Sequence, residues 1–117
     1  MAFLSPVLVV DDEPAMGAML VAQLEEHGIE AVFVSTLNEA FAALQARTYA
    51  AVVTDVHLGR CDGLDLLERT EHGQPVIVMS AFPSAALTKA ALARGAISVL
   101  SKPFGPALLL GLLDSLE

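Results

Sequence analysis

Val7-Leu8-Val9-Val10-Asp11-Asp12-Glu13-Pro14 is the stretch whose reading decides the fold. Four consecutive apolar residues, three of them β-branched, read as a short strand buried on both faces, because a strand with one wet face would alternate. Charge begins abruptly at Asp11. Pro14 then stands where a first helical turn starts, a position at which its missing N–H is no loss. A buried strand that runs straight into a helix is the opening half of a β-α-β unit.

The rest of the chain repeats that alternation. The first helix is expected to reach about His27 and close at Gly28, with Met16, Leu20 and Leu24 at helical spacing and Met19 beside them. Residues 30–34 read as a second strand, and Thr36 or Asn38 as the cap of a helix ending near Arg47. Ala51-Val52-Val53-Thr54 is a third strand that stops at Asp55. A loop with Gly59 and Gly63 precedes a short helix over about 64–71. The fourth strand, Pro75 to Met79, ends at Ser80, and Ser84 caps a helix that stops before Gly95. Residues 97–101 form the fifth strand, followed by Lys102-Pro103 and a last helix over about 105–116. In that helix Leu108, Leu109, Leu112, Leu113 and Leu116 make the expected core stripe, with Leu110 pointing away. Five apolar strands alternating with five helices imply an α/β fold, a parallel sheet covered on both faces. Right-handed crossovers put all strand C-termini on one edge, where such sheets bind ligands.

Composition sets the outer bounds. The 117 residues have room for one domain, expected over 1–117, and 55% hydrophobic content is too apolar for disorder. The single Cys61 excludes an internal disulfide, and no Cys/His cluster indicates zinc. The start lacks the basic flank of a signal peptide, and no run approaches the roughly 18 apolar residues of a membrane span. A reduced, cytoplasmic setting is expected, with no membrane partner. The net charge of −8 and the scattered basic residues, Arg47, Arg60, Arg69, Lys89, Arg94 and Lys102, argue against direct nucleic-acid binding.

The strand ends carry the chemistry. Strand one ends in Asp11-Asp12, strand three in Asp55, strand four in Ser80 and strand five in Lys102. Gathered carboxylates repel, and a divalent cation offsets that repulsion at neutral pH. Hard oxygen ligands favour Mg²⁺ or a similar ion. A carboxylate beside such an ion can attack phosphorus and form an acyl phosphate, with Lys102 neutralising the transferring oxygens and the Ser80 hydroxyl donating to them. Each residue also has a plainer reading. An Asp pair after a strand is often a turn and helix cap, a lone Asp at a strand end is a turn residue, and Ser80 can be a loop cap. The convergence on one rim favours chemistry.

Over nearly its whole length the chain resembles the receiver domains of bacterial response regulators, with a chemotaxis-regulator-like pattern. The matching residues are Asp11-Asp12-Glu13, Asp55, Asp62-Gly63, Ser80-Ala81 and Lys102-Pro103-Phe104, in order and each placed at or just after a strand end. The resemblance implies a flavodoxin-like (βα)5 three-layer sandwich with strand order 2-1-3-4-5. It implies a two-component phosphoacceptor switch rather than an enzyme with separate substrate turnover. Asp55 would accept the phosphoryl group from a histidine kinase or phosphotransfer protein. Asp11, Asp12, Asp55 and the backbone carbonyl of His57 would hold Mg²⁺. Ser80 would be the switch hydroxyl and Lys102 the phosphoryl-binding cation, aimed by a cis bond to Pro103. The fourth helix, fifth strand and fifth helix would form a face for a homodimer or target.

Three departures from that family stand out. Val99 occupies the usual aromatic position three residues before the lysine, Gly59 replaces a common proline and should loosen its loop, and the segment from Asp62 to Pro75 is short. Phe82 and His57 lie near the acceptor, and Phe82 is expected to shield it from water. An alternative is a degenerate receiver that serves as a phosphorylation-independent interaction module, for which Val99 speaks. An aspartyl phosphatase would want a second Asp where His57 stands, and a flavodoxin-like cofactor site would want a Gly/Ser-rich phosphate loop after strand one.

Overall fold

The computed structural model describes residues 6–68 and 74–116. Its elements are β1 (Val7–Val10), α1 (Pro14–Glu26), β2 (Ala31–Val34), α2 (Leu37–Ala46), β3 (Ala51–Asp55), β4 (His57–Leu58) and β5 (Cys61–Asp62). A 3₁₀-helix (Gly63–Glu68), β6 (Val76–Ser80), α3 (Ala85–Ala93), β7 (Ser98–Ser101) and α4 (Pro106–Asp114) follow. Five strands form one parallel sheet in the order β2-β1-β3-β6-β7, which is the expected 2-1-3-4-5 when only the long strands are counted.

Alternation along the central strands splits the core in two. Val7, Val9, Ala51, Val53, Ile77 and Met79 pack under Leu20 and Leu24 of α1 and Leu109 and Leu113 of α4. Leu8, Val10, Val52, Val76 and Val78 face the other way, against Leu37 and Ala40 of α2, Leu64 and Leu66 of the 3₁₀-helix and Ala91 of α3. Both faces of β1, β3 and β6 are therefore covered, which is why these strands read as unbroken apolar runs.

Helix ends follow the expected chemistry. Pro14 opens α1 and Pro106 opens α4. Thr36, not Asn38, caps α2. Its hydroxyl accepts from the Glu39 N–H at 3.1 Å, and the Glu39 carboxylate accepts in turn from the Ser35 N–H at 3.1 Å. The Ser35 N–H and the Ser35 hydroxyl, both donating to Glu39 Oε1, hold the Glu39 pKa below its usual value. Ser84 caps α3 through the Leu87 N–H at 3.0 Å. Replacing Thr36→Ala removes the acceptor and should destabilise the fold by about 1 kcal/mol in a urea titration. An unchanged midpoint would show that water substitutes for the cap.

Four sequence expectations change. The third helix is a 3₁₀ segment, Gly63–Glu68, rather than an α-helix over 64–71; the remainder of that range lies outside the described residues. The loop after Asp55 contains an antiparallel hairpin, β4–β5, pairing His57 with Asp62 and Leu58 with Cys61. In α4 the exposed leucine is Leu108, at 52%, whereas Leu110 is half-buried against the core. The stripe is shifted because Leu109 and Leu113, four apart, aim straight at the sheet. Phe82, expected as a shield, is 83% exposed. Phe104 packs on the core as an anchor. Among the described residues no helix is long and apolar enough to cross a membrane.

Candidate functional site

Register assembles the site. Val10 pairs with Thr54, so Asp11 and Asp55 leave adjacent strands side by side. Asp55 pairs with Met79, which sets Ser80 one residue further along β6. Ser80 pairs with Ser101, which sets Lys102 just beyond the end of β7. Four strand ends thus deliver Asp11, Asp12, Asp55, Ser80 and Lys102 to one edge, as the sequence predicts.

The Lys102 ammonium lies between two of the carboxylates. Its Nζ donates to Asp55 Oδ2 at 2.6 Å and to Asp11 Oδ2 at 2.8 Å. The Lys102–Pro103 peptide bond is cis, and the Lys102 N–H donates to the Ser80 carbonyl at 2.8 Å. Burial presses the ammonium pKa down, but the hydrogen bonds and charges of Asp11 and Asp55 outweigh it and leave the pKa above the ordinary lysine value. Asp11 is wholly buried and Asp55 nearly so, while Asp12 is exposed.

Each carboxylate also accepts one backbone N–H. Asp11 Oδ1 takes that of Glu13 at 2.9 Å, and Asp55 Oδ1 takes that of His57 at 3.0 Å. Asp12 Oδ2 takes that of Gly59 at 3.0 Å, from the turn of the β4–β5 hairpin. Sequence reasoning missed these donors, because a backbone N–H leaves no mark in the residue types. It also misjudged Gly59. The residue has φ +63°, open to glycine and closed to proline, and it sits at the first turn position of a two-residue hairpin loop. The substitution that was expected to loosen the loop instead permits an ordered turn that reaches Asp12.

One oxygen each from Asp11, Asp12 and Asp55 lies within 4.8 Å of the others. Three carboxylates set against the Lys102 ammonium leave surplus negative charge. The all-oxygen donor set, without sulfur or imidazole, suits a hard divalent cation such as Mg²⁺. The His57 side chain is exposed, with its backbone in β4 beside Asp55. Ser80 is fully buried, and its Oγ accepts the Phe82 N–H at 3.1 Å.

A family model for the response regulator receiver domain matches residues 7–114. The chain belongs to that family. The receiver is 34% identical over 103 residues to nitrogen assimilation regulatory protein NtrX of Azorhizobium caulinodans, covering 84% of the receiver and 23% of NtrX. It thus spans about a quarter of that relative's length. The beryllofluoride-activated NtrC4 receiver domain dimer is 30% identical, with a TM-score of 0.88 and coverage of 95% of the receiver and 94% of that chain. A Burkholderia pseudomallei response regulator, solved with a phosphorylated aspartic acid, a calcium ion and citrate, is 26% identical. Its TM-score is 0.86, and the match covers 93% of the receiver and 66% of that chain.

Proposed function

We propose that the receiver, as a single domain over residues 1–117, is a phosphoacceptor switch whose acceptor is Asp55. The observation that carries this reading is the Lys102 ammonium held 2.6 Å from Asp55 and 2.8 Å from Asp11 at the ligand-binding edge of the sheet. An Asp55 carboxylate oxygen attacks the phosphorus of a phosphohistidine on a histidine kinase or phosphotransfer protein. The N–P bond breaks, the imidazole leaves with the electron pair and takes up a proton, and an acyl phosphate forms. Asp11, Asp12, Asp55 and the His57 carbonyl would hold Mg²⁺, which would supply charge neutralisation for the transferring oxygens. Lys102 keeps the acceptor oriented and follows the charge onto the phosphoryl group. The buried Ser80 hydroxyl accepts the Phe82 N–H with its oxygen, so its proton is available to donate to the new phosphoryl oxygens. The added charge of about −1.5 to −2 is what redraws that loop.

The aspartyl phosphate and divalent ion of the Burkholderia pseudomallei relative support the reading by analogy. For output, the face of α3, β7 and α4 is built from elements that carry exposed leucines, Leu92 of α3 at 47% and Leu108 of α4 at 52%. We assign it to a second copy or a target, in line with the dimer formed by the NtrC4 receiver. The setting is cytoplasmic, where histidine-kinase phosphodonors act.

Incubation with Mg²⁺ and acetyl phosphate, followed by intact mass, tests the proposal. The parent should gain one phosphoryl group and Asp55→Asn none. Equal gain by both would move the acceptor elsewhere, and no gain by the parent would leave a binding module.

A further inference from the structure

Asp11 and Asp55 are fixed twice, by a backbone N–H and by Lys102. Asp12 is the exposed member of the group, and the contact that spans the site to reach it is the Gly59 N–H, 47 positions away in sequence. We infer that Gly59 is a positioning residue: its amide holds the Asp12 carboxylate in place for the divalent cation, an inference that rests on the metal reading proposed above. With Oδ2 engaged by the amide, rotation of the carboxylate is restrained before any ion arrives. Free rotation of an exposed aspartate would otherwise have to be frozen when the ion binds.

The turn supplies this donor for a backbone reason. A two-residue loop between Leu58 and Cys61 needs a positive φ at its first position, and Gly59 provides it at +63°. The hairpin is itself secured at its base, where the Gly63 N–H donates to the Val56 carbonyl at 2.7 Å. Asp12 therefore rests on a braced turn rather than on a loose loop. Proline at 59 would remove the donor and forbid the conformation together. Outer partners of metal ligands typically carry about ten-fold or more in metal affinity.

The test is calorimetric Mg²⁺ titration of the parent, Gly59→Pro and Gly59→Asn, each checked for folding by circular dichroism. Asparagine keeps the N–H and tolerates the left-handed backbone. Gly59→Pro should bind Mg²⁺ about ten-fold more weakly, and Gly59→Asn should restore most of the parent affinity. A Gly59→Pro variant that folds and binds as the parent does overturns the inference. In parallel, the Gly59 amide resonance of the ion-free protein should shift in Asp12→Ala. If Gly59→Pro does not fold, this measurement decides, and an unmoved resonance overturns the inference. A parent that binds no Mg²⁺ sinks the metal reading instead, while the amide shift still reports whether the contact exists.

Discussion

Lys102→Met should lower the melting temperature by on the order of 10 °C at pH 7 and slow phosphorylation by acetyl phosphate by on the order of a hundred-fold. The stability loss comes from what remains behind. Asp11 has no solvent exposure and Asp55 very little, and both lose the cation that offsets their charge. Removing one partner of a buried pair typically costs about 3–5 kcal/mol, and the open side toward Asp12 places this case at the lower end. Methionine keeps most of the stem volume, so packing changes little. In the proposed transfer, the rate loss follows from removing the Lys102 ammonium that stands 2.6 Å from Asp55.

Two controls give this expectation its sign. The folded pKa of Lys102 lies above its unfolded value. Its contribution is therefore fully present below the unfolded value, about 10.4, and is lost only as pH rises through the higher folded value. The gap in stability between parent and variant should stay constant from neutral pH to about pH 10 and close above that. Millimolar Mg²⁺ should recover part of the melting temperature of Lys102→Met, because a bound cation replaces the missing charge. A variant that melts with the parent at pH 7 would mean that the ammonium does not hold the acidic group together.

Much of this was legible in the sequence, for identifiable reasons. Val7–Val10, Ala51–Thr54 and Val76–Met79 are buried on both faces, so their apolar runs announce a parallel sheet, and the residue after each run must lie on its C-terminal edge. That logic finds Asp11, Asp55 and Ser80 without any coordinates, while Lys102 stands just past the edge strand β7, whose run is only partly buried. The β4–β5 hairpin escaped it because each strand has only two residues and no alternation to detect. The Gly59 bond to Asp12 escaped it because the donor is backbone. Leu108 and Leu110 were exchanged because a helix of nearly continuous leucine has no periodic contrast, so the sheet sets its rotation. Phe82 was given a shielding role from its proximity to Ser80, but nearness in sequence does not set the direction of a side chain on a loop.

Gly63→Ala should be the most damaging alanine substitution among the described glycines. A Cβ at Gly63 would collide with the carbonyl oxygen of Asp55 and stand 3.2 Å from Thr54 Oγ1. The nearer contact is backbone, so no rotamer change relieves it. Either β3 moves, carrying Asp55 with it, or the base of the hairpin opens and gives up the 2.7 Å bond from the Gly63 N–H to the Val56 carbonyl. Overpacking of a rigid site typically costs about 1–3 kcal/mol, and the buried hydrogen bond adds about 1 kcal/mol if it is lost. A fall of about 2–4 kcal/mol in urea stability is expected, with a matching loss of Asp55 phosphorylation in the fraction that remains folded. Gly111→Ala is the contrasting case. Its added Cβ meets nothing within 4 Å on the exposed side of α4, so relief of helix entropy should raise stability by about 0.5–1 kcal/mol. Should Gly63→Ala be as stable as the parent while still accepting phosphate, the approach of Gly63 to Asp55 would have to be wider in solution. The bracing of Asp55 by the hairpin would then lose its basis.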